Sequence, residues 1–172
     1  MGAWGITERQ SDDGLDLLGI IIADHLSKVD FTVFNVSEAV KLLNDYTQNE
    51  IDEYRQKPPS KITERYISES LMHDFTHAKL LVAECLADYY RTGELVIYDY
   101  VGESYDQVEH RVKEFVVTEF DLQLLLRELQ SVQDPEHWLY QCWRDDETLN
   151  RWLSHIHSVS QTLKEHIYKG GR

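Results

Sequence analysis

Between Lys61 and Thr92 the apolar residues Ile67, Leu71, Phe75, Ala78, Val82, Cys85 and Tyr89 recur at steps of three and four. That spacing lines one side of an α-helix, and a strand, with its period of two, cannot use it. Gly93 follows at the point where a helix closes in a left-handed turn. A helix over 61–92 leaves a long apolar face to be covered, so the other elements have to be arranged around it.

Those elements follow from caps and breakers. Ser11 suits the N-cap of a first helix whose opening turn carries Asp12 and Asp13, where the positive end of the helix dipole favours acids. It is expected to run to about Leu26. Leu17 to Ala23 is its most apolar stretch and is far shorter than the ~20 residues a bilayer requires. Phe31, Val33, Phe34 and Val36 form a short apolar patch, Ser37 caps a second helix reaching about Tyr54, and Lys57-Pro58-Pro59-Ser60 ends it. Leu95 to Tyr100 and Arg111 to Val117 are rich in β-branched and aromatic residues and read as a hairpin within 94–118, joined by the polar segment 102–107. A competing reading makes 105–133 one long helix. Thr118 with Asp121 resembles a capping pair for a helix through Gln133, and Asp134-Pro135 starts another. The last helix begins near Asp146, carries Leu149, Trp152, Leu153, Ile156, Val159 and Leu163 on one face, and ends before Gly170. The expected fold is mainly α: a single helical domain over 1–172 with one long central helix and a small β-hairpin, residues 1–10 packed on the domain and 169–172 as a tail.

A chain of 172 residues fits one domain. It carries 31 acidic against 17 basic residues, a net charge of −14 spread along its length. Such a surface repels nucleic-acid phosphates and anionic membranes. It serves solubility, and it also suits a basic protein partner, since complementary charge speeds encounter and selects partners. Cys85 and Cys142 are too few and too far apart for a disulfide framework and read as reduced core thiols. The N-terminus lacks a basic segment followed by an apolar run, which makes a cytoplasmic location the expectation. Gly2 does not open a myristoylation motif, because Ile6 stands where Ser or Thr is required.

The opening Met1-Gly2-Ala3-Trp4-Gly5-Ile6, with Asp12-Asp13 and Leu15-Asp16 beyond it, resembles the N-terminal signature of a bacterial family of uncharacterised proteins, a domain of unknown function. That family opens Met-Gly-Ala-Trp-Gly and continues to an acidic pair and a Leu-Asp step. The resemblance covers roughly residues 1–20, departs from the commonest form at Ile6-Thr7-Glu8-Arg9, and has a weaker echo around Trp138, Trp143 and Trp152. It implies a small stand-alone bacterial protein, in some members a neighbour of toxins in the manner of immunity proteins, and it brings no known activity.

His73-Asp74-Phe75-Thr76-His77 is the one local pattern that resembles a catalytic motif, because two histidines four residues apart on a helix can both ligate a metal. Zinc peptidases place Glu second, as general base. Asp74 is one methylene shorter, which draws its carboxylate back from a bound water. At about 100° per residue His73, His77, Glu84 and Asp88 share one side of the long helix, with Glu69 nearby, while Leu71, Phe75, Val82 and Tyr89 take the other. Such a cluster lines a site only if another element, such as the helix bearing His155 and His157, folds over it; otherwise it is an ordinary solvated face. No cofactor is expected; the alternative is a divalent metal on His73, His77 and Glu84, with Asp74 as base. No phosphate-cradling loop or dinucleotide fingerprint occurs, and Gly102-Glu103-Ser104-Tyr105-Asp106 lacks the closing Gly of a nucleophile elbow.

Aromatic rings and acids combine twice. Tyr98, Asp99, Tyr100, Glu103, Tyr105 and Asp106 cluster around the hairpin, and Trp143 adjoins Arg144-Asp145-Asp146-Glu147 at an edge of the tryptophan-rich C-terminal region. Both suit a binding surface for a basic partner, and both also suit a polar turn and core packing, to which Trp138 and Trp152 belong. Two functions are therefore expected: an acidic protein-binding module of immunity or antitoxin type that blocks a basic partner or, alternatively, a metal-dependent hydrolase using the His73/His77 pair. Carboxylate mimicry of nucleic acid shares the charge argument. The oligomeric state is left open.

Overall fold

In the computed structural model, residues 6–26, 32–65, 67, 72–101, 106–143 and 145–170 are described. A 3-10 turn at Glu8–Gln10 leads into α1 (Asp12–Ile20), which continues as a π-helical run over Ile21–Leu26. β1 (Val33–Asn35), α2 (Val36–Gln56), α3 (Lys61–Arg65) and α4 (Met72–Thr92) follow. Then come β2 (Leu95–Val101), β3 (Asp106–Val112), β4 (Glu114–Val116), α5 (Glu119–Ser131), α6 (Trp138–Gln141) and α7 (Asp146–Gly170). The chain is mainly α with a small antiparallel hairpin, as the periodicity requires.

Helix α4 is the hub. It packs against α1, α2, α5 and α7, and from Thr76 to Ala87 every side chain except that of Lys79 is buried. A helix covered on all sides is a core helix and not a half-solvated one. Lys79 leaves the core through an ion pair of 2.8 Å to Glu128 on α5. Gly93 closes α4 at φ 83°, its N–H donating to the Tyr89 carbonyl at 2.8 Å. The helix expected over 61–92 is described as two pieces, α3 and α4, and of the residues between them only Ile67 is described.

The caps decide where several elements start. The Ser11 hydroxyl accepts the Gly14 N–H at 2.9 Å and caps α1. Thr118 and Asp121 form a reciprocal capping box for α5. α2 is capped by Asn35 and not by Ser37, because the Ser37 hydroxyl is spent on Asp121 at 2.6 Å, tying α2 to α5. Residues 134–137 are turn, not helix. Asp134 accepts the Glu136 N–H, and His137 caps α6 through its ring nitrogen. α7 runs through Gly170, past the expected stop.

The strands depart furthest from expectation. β3 begins at Asp106 and pairs with β2 from Leu95↔Val112 to Val101↔Asp106, so the second hairpin strand is 106–112 and not 111–117, and a single helix over 105–133 is ruled out. After Lys113 the chain leaves the hairpin, and β4 runs parallel to β1 with Phe34 opposite Phe115. The two rings stack at 4.8 Å, and Phe34 is wholly buried. Of the cysteines, Cys85 is buried and its thiol pushed up to about 12 by that burial, whereas Cys142 is exposed and no core thiol. No helix among the described residues is long and apolar enough to cross a membrane.

One contact sets how the N-terminal turn meets α1. A Cβ added to Gly14 would lie 1.9 Å from the Glu8 carbonyl oxygen and 2.9 Å from Ser11 Oγ. Only a glycine admits that approach. Gly19, on the same helix, has nothing near its missing Cβ. Gly14→Ala is expected to destabilise the fold by about 2–3 kcal/mol through overpacking, while Gly19→Ala stabilises it by up to about 1 kcal/mol through helix propensity. Urea denaturation of the two variants measures both signs.

Candidate functional site

The side of α4 that carries His77 and Glu84 is not open to solvent; the N-terminal turn and α7 close over it. Glu8 lies on His77, its Oε1 2.7 Å from Nδ1, and is 7% exposed. The Ser11 hydroxyl donates to the Glu8 carbonyl at 2.8 Å. The Glu8 N–H donates to Glu84 Oε1 at 2.8 Å and the Arg9 N–H to Oε2 at 3.2 Å. From α7, His155 Nε2 approaches Glu84 Oε1 to 2.6 Å. Arg9 then reaches along α4 to Asp88, Nη1 to Oδ2 at 2.5 Å. A buried carboxylate that accepts two backbone N–H groups and an imidazole is satisfied, which is the condition for its burial. Arg9, Glu84, Asp88 and His155 also line a cleft of about 270 Å³.

Electrostatics in this buried group follow from desolvation and pairing. Burial pushes the Glu8 carboxyl up, against the pull of the His77 hydrogen bond and charge. Burial alone would push His77 down; the hydrogen bond to Glu8 and the charges of Glu8, Asp13 and Asp74 outweigh it, and the imidazole is raised. Asp13 stands 3.6 Å from His77 Nε2.

Beyond His77 further carboxylates act on one another. Asp74 is pushed up to about 6, first by burial and next by Asp13, with smaller contributions from Glu50 and Asp16 and an opposing pull from His77. The Tyr46 phenol is raised as well, first by Glu50, then by burial, Asp16, Asp74 and Glu53. Carboxylates from α1, α2 and α4 therefore surround an aromatic ring that is 42% exposed.

The residues singled out in the sequence are dispersed over these surroundings. His73 stacks on Trp138 with ring centroids 3.6 Å apart, His77 is held by Glu8, and Glu84 by backbone and His155. Among the described residues no three His, Cys, Asp or Glu side chains are grouped so as to hold a metal ion. His157 is exposed. Tyr98 is 47% exposed on β2. The side chains of Asp99, Tyr100 and Asp106, and all of Glu103 and Tyr105, lie outside the described residues. Trp143 is half-buried against the core, its ring 5.5 Å from that of Trp152, which is buried. Glu8, Arg9 and Tyr46 are the participants that periodicity misses. Glu8 and Arg9 precede the first helix, and Tyr46 gains its neighbours only from other elements.

His77, raised from 6.5, contributes stability that is full below that value and is lost as pH rises through its folded-state pKa. Asp74 acts with the same sign between 3.8 and about 6, because the folded chain keeps a proton there that the unfolded chain releases. Stability should therefore fall as pH rises through these windows. Asp74→Asn should flatten the lower part and His77→Gln the upper part, as read from urea midpoints across pH.

Comparisons with protein-family models, with curated proteins and with solved structures give no match.

Proposed function

We propose that the protein is an acidic protein-binding module of the immunity or antitoxin type, which blocks a basic partner by covering its active surface. The observation that carries this reading is the set of carboxylates that act on the exposed Tyr46. Five carboxylates from three helices, Asp13, Asp16, Glu50, Glu53 and Asp74, act on that ring or on one another, and His77 opposes the rise at Asp74. Asp74 is held up to about 6 first by burial and next by the neighbouring carboxylates, and an arriving cation would offset the second of these. The exposed ring at its centre supplies the apolar, rigid contact that binding surfaces favour. The net charge of −14 extends the same attraction over the molecule, and the resemblance of residues 1–20 to a bacterial family with members beside toxins agrees with it.

A partner held in this way binds fast and in a salt-dependent manner. Co-purification at low salt with the basic proteins encoded beside it should yield a complex in which the partner's activity is suppressed. Asp16→Lys combined with Glu50→Lys should slow association about tenfold with little change in the melting temperature, as measured by surface plasmon resonance and calorimetry. If no such basic protein binds at low salt, the proposal is wrong.

A further inference from the structure

The buried residues of α1 and its π-helical continuation come in pairs: Leu17 with Leu18, Ile21 with Ile22, then His25 with Leu26. His25 therefore stands at a core position and is 6% exposed. A leucine there would need no partner, whereas a buried imidazole does. The turn that carries it, Ile21–Leu26, is of the π form, which is rare and gathers at functional positions.

The two ring nitrogens face different groups. The Asn35 N–H points at Nε2 from 3.3 Å. A backbone N–H can only donate, so Nε2 accepts and the ring hydrogen is on Nδ1, which lies 4.0 Å from Glu38 Oε2. The imidazole is thus neutral and held in one tautomer. Its partner is itself a joint of the fold. Asn35 ends β1, opposite Val116 of β4, and its side chain accepts the Glu38 N–H at 3.2 Å to cap α2. Phe34 meets the His25 ring edge-on at 5.5 Å and stacks on Phe115. The end of α1, the β1–β4 pair and the start of α2 all meet at this imidazole.

A proton on Nε2 turns the acceptor into a donor aimed at another donor, and the contact with Asn35 is lost. The imidazolium then has little to hold it in place. Among the described residues the acid that acts on it is Glu38, whose side chain is 61% exposed and whose 4.0 Å separation lies beyond hydrogen-bond reach. Asp24, on the same turn, is exposed, and β1 presents Phe34 and Asn35, neither of them charged. We propose that His25 is an acid-sensitive latch: neutral, it holds the π-helical end of α1 on the β1–α2 corner through the Asn35 N–H, and protonated, it releases that corner and uncovers Phe34. Burial keeps the imidazole below its ordinary value, with Glu38 opposing, in accord with this geometry. The stability contributed here is full above 6.5 and is lost as pH falls through that value and the lowered one of the folded chain. That sign is opposite to the sign at His77 and Asp74, so the latch is read at Asn35 itself and not from a global midpoint.

The test follows the isotopically labelled full chain by nuclear magnetic resonance. At about pH 8 the His25 ring should carry its hydrogen on Nδ1 with Nε2 bare. On acidification to about pH 5, Nε2 should gain a proton while the hydrogen-exchange protection factor of the Asn35 amide falls about tenfold, the scale of one lost hydrogen bond. His25→Gln, whose side-chain oxygen accepts a hydrogen bond but does not titrate, should hold that protection factor constant over the same range. An equal loss of protection in His25→Gln overturns the latch, as does a ring with its hydrogen on Nε2 at about pH 8. If the variant does not fold, the unaltered chain decides: coincident midpoints for ring protonation and loss of Asn35 protection support the latch, and a ring that titrates with the Asn35 amide still protected overturns it.

Discussion

The architecture depends on the carboxylate of Glu84. It sits on the most buried stretch of α4 and accepts hydrogen bonds from the backbone of the N-terminal turn while meeting His155 of α7. An unpaired charge in that position is prohibitive, and a paired one fixes whatever pairs with it. Two elements at opposite ends of the sequence are thereby placed on the same helix face. Glu8, drawn in by its own N–H, then becomes the partner of His77, so the second polar group on α4 is satisfied by the same turn that satisfies the first. Gly14 belongs to this arrangement, since the Glu8 carbonyl occupies the place where its side chain would be.

Interior and exterior treat charge differently. Inside, Glu8 meets His77 and Glu84 meets two amides and an imidazole, and at the rim Asp88 meets Arg9. Farther out, carboxylates of α1, α2 and α4 act on Tyr46 and on one another, and they add to the burial that holds the Asp74 carboxyl at about 6. Arg9 and Lys79 are set on Asp88 and Glu128 beside the core, while Lys41, Arg55 and Arg111 pair with acids at the exposed surface. What is left over is a surface whose repulsion a basic partner would remove.

The hairpin extends the same logic to the backbone. β2 is anchored where Leu95 and Ile97 are buried and where Arg9 covers Val96. β4 leaves the hairpin to pair with β1 because Phe115 finds a buried stacking partner in Phe34, and this departure is why the hairpin remains two-stranded.

The sequence by itself determined those helices whose signals are local: the period of α4, the Ser11 cap, the Thr118–Asp121 box and the stop at Gly93 all act within a few residues. It also determined that the molecule is strongly acidic. Tertiary structure decided what lies between and beyond these elements. Period alone placed His77 and Glu84 on a polar face; the arrival of Glu8 and His155 made that face interior. Asn35 displaced Ser37 as a cap because Ser37 found Asp121, 84 residues away. The same distance dependence hid the field at Tyr46, whose neighbours come from three helices. Local hydrogen bonds and periodicity are written in adjacent residues, whereas burial and charge compensation depend on partners distant in the chain, and only the packed molecule brings those together.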